Sequence, residues 1–177
     1  MTADIVRTAF HEAGHALLAF AVNHELGRVT IQRRGDRLGH VLSYTVKLAR
    51  MPSIERYEKA VYHRMAVSLA GPLAEARLFQ MAAPNRDNND YDEARSNAAL
   101  VTKAPGNLIA QCEIWTGSLL AAGWPQVKAL ADTLLIDRTI DGKRAEEILK
   151  TGRPMPRLRW RAADIRQLAL PFAEALP

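Results

Sequence analysis

The segment His11-Glu12-Ala13-Gly14-His15 holds two imidazoles and a carboxylate at the spacing that metal-assisted hydrolysis requires. On an α-helix, positions 11 and 15 lie one turn apart on the same face, so both imidazoles can converge on one ion. Glu12 projects about 100° round from His11, within reach of a water in an open coordination position. H-E-x-x-H is accordingly the pattern of a hydrolytic zinc site, with the glutamate as general base. The flanking residues sharpen this. From Thr8 to Val22 the only polar side chains are Thr8, His11, Glu12 and His15. A helix apolar nearly all round is normally buried, and a buried glutamate between histidines is costly unless it is paired or beside a metal.

A catalytic zinc site usually takes three protein ligands and leaves a fourth position to water. No G-x-x-H follows His15, so the third ligand is remote in sequence. His24, His40 and His63 are available, but a lone histidine past a helix end or among polar neighbours is more often a surface or helix-end residue. Carboxylates are the better source. Glu75 lies in an apolar, small-residue stretch where an acid needs a reason. Asp87, Asp90 and Asp92 cluster where a polar loop enters a helix, a place that favours acids by capping and dipole alone. Spacing does not choose among these four.

The elements that must position such a site are mostly helical. A first helix is predicted from Thr2 or Asp4 to Val22. Two strands, Arg28 to Gln32 and Gly39 to Val46, form a hairpin about the turn signal Arg33 to Arg37. Pro52-Ser53 opens a long helix, with Ile54, Tyr57, Val61, Met65, Leu69 and Leu73 at three- and four-residue intervals. Gly71-Pro72 is expected to kink or divide it. After a polar loop from Ala83 to Asn89, helices are predicted from Asp90 to Thr102, Asn107 to Ala122 and Pro125 to Asp137, with Pro105-Gly106 as a break. Asp141 caps a last helix ending near Lys150. The expected fold is mainly α with one small β-hairpin or sheet.

With 177 residues, 48% apolar and 24% charged, the chain suits one globular domain. That domain is assigned to residues 1–150, with residues 151–177 as a basic linker and tail. The net charge is +5. Five arginines and Trp160 lie between Arg153 and Arg166, read as a solvated tail in preference to a nucleic-acid surface. Cys112 is the only cysteine, which rules out an intramolecular disulfide and fits a reducing compartment. With neither a signal-peptide pattern nor an apolar run long enough to span a bilayer, the expectation is a cytoplasmic chain without membrane contact.

Several ordered motifs make residues 5 to about 150 resemble the peptidase domain of the FtsH family of ATP-dependent zinc proteases. His11 to His15 matches that family's H-E-x-G-H. Val29-Thr30-Ile31, Arg34-Gly35 and Leu38-Gly39 resemble its V-T-I…R-G…L-G hairpin. Leu69-Ala70-Gly71 through Glu75 resembles A-G-R-A-A-E-E, and Asn89 to Ala94 resembles N-D-L-x-x-A-T. Thr139-Ile140-Asp141-Gly142 resembles T-L-D-G. The resemblance implies His11, His15 and Asp90 as zinc ligands, Glu12 as general base, and Glu75 orienting a histidine. The departures are Pro72 for the arginine, Ala76 for the second acid, and no Gly-Ala before the Asn-Asp pair, which keeps Asp92 and Asp87 open as ligands. These residues contain no G-x-x-x-x-G-K-[ST], so the expectation is a free-standing, FtsH-peptidase-like endopeptidase. Its substrate would be flexible or unfolded polypeptide; a separate ATPase and a homo-oligomer are the candidate assemblies. The alternative is a non-catalytic, zinc-containing interaction module that docks on an ATPase or another protein.

Overall fold

A computed structural model describes residues 3–34, 37–44 and 52–151. The element order is α1 (Ala3–Ala21), β1 (Glu25–Arg34), β2 (Arg37–Tyr44), α2 (Ile54–Leu78), α3 (Asn89–Ala98), α4 (Pro105–Ala122), α5 (Trp124–Asp137), β3 (Thr139–Ile140) and α6 (Gly142–Lys150). The mainly helical class with one small sheet is as expected from the sequence. Residues 152–177, which include the basic stretch from Arg153 to Arg166, lie outside the described residues, as do the hairpin residues 35 and 36.

Helix α1 is the hub, for the reason its composition gives. Apolar on almost every side, it buries Ala9, Ala13, Ala16, Leu17 and Leu18 completely and packs against α2, α5 and the sheet. Asn23, with a φ of 59°, turns the chain out of it, a conformation that asparagine tolerates better than most residues. Gly14 lets α2 approach closely. A Cβ there would lie 2.7 Å from the Ala70 carbonyl oxygen and 2.8 Å from the Ala74 Cβ.

Three boundaries differ from the sequence reading. Helix α2 is one continuous element through Gly71-Pro72, so the proline does not divide it; Pro72 removes a single backbone donor, and its neighbours Leu69, Ala70 and Ala74 are fully buried in the core. Pro105 stands in the first turn of α4 instead of breaking the chain before it, because a first-turn nitrogen has no intrahelical acceptor to lose. The hairpin is longer at its start than predicted, and a third strand joins it in the order β2-β1-β3, all antiparallel. Thr139 and Ile140 are too few to show alternation. They are held through Ile31 N–H donating to the Arg138 carbonyl at 2.9 Å and a Thr30–Thr139 hydroxyl bond of 2.6 Å.

The expected cap is present at Asp141, which accepts from Arg144 N–H, and Ser53 caps α2 by accepting from Arg56 N–H. Asn88 caps α3 by accepting from Tyr91 N–H at 3.0 Å, one residue earlier than the loop was expected to end. No helix among the described residues is long and apolar enough to cross a membrane.

Candidate metal centre

His11 and His15 project from α1 towards the first turn of α3. Their Nε2 atoms lie 2.9 Å apart. Asp90 faces both, with Oδ2 at 3.1 Å from His11 Nε2 and Oδ1 at 3.6 Å from His15 Nε2. Ligand atoms around a four-coordinate zinc at about 2.0–2.2 Å stand roughly 3.3 Å from one another, so this donor set has the chemistry and the spacing to hold one.

Both imidazoles are fixed from behind by α2. His11 Nδ1 donates to Glu75 Oε1 at 2.7 Å, and His15 Nδ1 donates to the Val67 carbonyl at 2.7 Å. With each Nδ1 committed as a donor, each neutral ring turns its Nε2 lone pair inward. Two lone pairs 2.9 Å apart call for a cation between them, either a proton or a metal. Val67, Gly71 and Glu75 are spaced four apart, and so form one stripe of α2. Gly71, in the middle, provides clearance. A Cβ there would lie 2.4 Å from His15 Nε2 and 2.6 Å from His11 Nε2. Arg7 approaches the outer oxygen of Glu75 at 3.8 Å.

Charge follows from these contacts. Burial opposes protonation of His11, but hydrogen bonds to the Asp90 and Glu75 carboxylates outweigh it and raise its pKa to about 10. Burial acts against ionisation of Asp90 too, yet its bonds to His11 and His15 hold it well below the usual carboxylate range. Glu12 is 4% exposed. Burial pushes its carboxyl up, against the pull of His15 and His11, which suits a base working nearer neutrality.

The remaining sequence candidates fall elsewhere. Asp92 is exposed and ion-paired to Arg95 at 2.7 Å, and Asp87 is exposed. Glu75 holds the far nitrogen of His11 and is not one of the three inward donors. His24, just past the end of α1, and His63, within α2, pack edge-to-face with ring centroids 6.1 Å apart, and neither belongs to the group of His11, His15 and Asp90. The side chain of His40 lies outside the described residues. Cys112 is buried, and burial pushes its thiol up to about 12, so it is no nucleophile. Sequence reasoning missed the Val67 carbonyl, which carries no side-chain signature, and the clearance at Gly71, although that glycine stood inside a noted motif.

The sequence profile of peptidase family M41 matches residues 3–107. The ATP-dependent zinc metalloprotease FtsH 1 of Symbiobacterium thermophilum is 43% identical over 82 residues, covering 44% of this chain and 13% of that protein. FtsH of Thermus thermophilus is 36% identical over 89 residues, 49% of this chain and 13% of its own length. The YME1 subunit of the mitochondrial inner membrane i-AAA protease supercomplex of Saccharomyces cerevisiae is 29% identical over 159 residues, 80% of this chain and 19% of that protein. The chain thus spans less than a fifth of the length of these relatives.

Proposed function

The chain belongs to peptidase family M41, and from that premise we propose a zinc-dependent endopeptidase that hydrolyses peptide bonds in flexible or unfolded polypeptides. One observation carries the reading: two Nε2 atoms and the Asp90 carboxylate converge, with both histidines oriented from α2 and Glu12 buried beside them. His11, His15 and Asp90 would hold the ion. Zinc bound there supplies Lewis acidity, which makes water nucleophilic near neutral pH and polarises a carbonyl.

The chain's own groups do the rest. Glu12 takes a proton from the attacking water and passes it to the leaving amine, a transfer that its raised pKa favours. Glu75 and the Val67 carbonyl keep both rings turned inward. Strand β2 lies at the sheet edge and packs beside α1, so an extended substrate can add to it through main-chain hydrogen bonds. The peptidase unit is residues 1–150, with 151–177 a basic tail. By itself such a unit cleaves segments that are already loose, and an ATPase would be needed to deliver folded substrates.

The test is zinc analysis and casein digestion of wild type against Glu12→Gln. The variant is expected to keep its metal and lose activity about 10²–10⁴-fold. Full activity in the variant removes Glu12 as base, and zinc binding by a wild type without turnover favours the non-catalytic interaction module.

A further inference from the structure

Helix α3 carries Asp90 but has little of its own to hold it in place. Its sequence, Asn89-Asp-Tyr-Asp-Glu-Ala-Arg-Ser-Asn-Ala98, is short, polar and poor in strong helix formers. Only Tyr91, Ala94, Asn97 and Ala98 are buried. Tyr91 stands where the resembling motif has leucine, so its hydroxyl is an extra polar group brought into a 1% exposed side chain. Such a group needs a partner.

The partner is Glu113 on α4. Tyr91 Oη donates to Glu113 Oε1 at 2.5 Å. Arg86 donates to the same carboxylate with both arms of its fork, Nε to Oε1 at 2.9 Å and Nη2 to Oε2 at 2.7 Å. The Glu113 side chain is only 12% exposed, so one largely desolvated charge receives three donors. Two come from four residues before Asp90 and one from the residue after it. Arg95 ties the segment again, donating to the Arg86 carbonyl at 2.9 Å while its guanidinium lies over the Tyr91 ring. The stretch bearing the remote carboxylate is therefore staked to α4 on both sides of Asp90.

We propose that Glu113 is a positioning residue: through Tyr91 and Arg86 it sets where Asp90 meets His11 and His15, and thereby the affinity of the site for its metal. This rests on the metallopeptidase reading. Groups that orient metal ligands typically change metal affinity 10–100-fold when removed. The effect should follow the number of bonds lost. Glu113→Ala loses all three, Tyr91→Phe loses one, and Glu113→Gln keeps acceptors for Tyr91 and one arm of Arg86.

The experiment titrates zinc into the whole chain against a chromophoric chelator, records the cobalt(II) absorption spectrum, and follows thermal unfolding of the metal-free protein. Zinc binding is expected to weaken about 10–100-fold in Glu113→Ala, and by less in Tyr91→Phe and Glu113→Gln, which lose one bond each. The cobalt bands should fall in the same order. Glu146→Ala, which breaks an exposed ion pair on α6, should leave both unchanged. Should Glu113→Ala fail to fold, Tyr91→Phe decides alone. Variants that unfold at lower temperature yet bind zinc and cobalt as wild type does would make the cluster merely structural and overturn the proposal. A wild type that takes up no zinc overturns the metallopeptidase reading, and this inference with it.

Discussion

Two pairs of histidines involve α1 and α2, and the protein treats them oppositely. His11 and His15 stand edge-to-face at 4.6 Å, and His24 and His63 edge-to-face at 6.1 Å. All four are at least half-buried. The difference lies in the neighbours. Around the first pair stand Asp90 and Glu75, which lift His11 to about 10. Around the second, burial acts with Lys59 to hold His63 down to about 4, and burial with Arg64 lowers His24. His24 Nδ1 and His63 Nε2 have no hydrogen-bond partner among the described residues, whereas each Nδ1 of the first pair has one. Burial alone drives an imidazole to neutrality; surrounding carboxylates and a fixed tautomer turn a pair into a cation site.

The comparison can be broken most forcefully at Gly71, on the α2 stripe behind the first pair. Gly71→Ala places a methyl group among the inward nitrogens, and zinc affinity measured calorimetrically should fall by about 100-fold or more. Glu75→Gln comes next, with an expected loss of about 10–100-fold, while His63→Gln should leave zinc affinity at the wild-type value. Equal losses in the two variants would contradict the distinction.

The smallest effect is in pH dependence, and its sign differs between the pairs. His63 has a folded pKa below its ordinary 6.5, so the unfolded chain takes up its proton first and stability falls as pH drops from 6.5 towards about 4. His11 has a folded pKa above 6.5, so its stabilisation is complete below 6.5 and is lost as pH rises through about 10. Denaturant unfolding of the metal-free protein should show both limbs. His63→Gln should flatten the acid limb by about 1–2 kcal/mol and leave the alkaline limb unchanged.

How far the sequence exposed this arrangement depended on the range of each contact. The pairing of His11 with His15 needs only helical periodicity, and the apolar run around it foretold that α1 would be buried. The Asp141 cap was legible because capping is local. Asp90 could not be separated from Asp87, Asp92 and Glu75 by spacing, since all lie sixty or more residues from the histidines and only packing tells which of them faces both rings; the family resemblance pointed to Asp90. Val67, Gly71 and Glu113 act through contacts between helices, and a backbone carbonyl, a missing methyl and a buried ion pair leave no periodic mark. Strand β3 escaped notice because two residues cannot display an alternation.

The stripe of α2 that meets the histidines has a consequence for how the gene can change. Carbonyl, gap and carboxylate recur at intervals of one helical turn, so inserting or deleting a single codon between positions 67 and 75 would rotate part of the set by about 100°. Indels should therefore be purged from this stretch of α2.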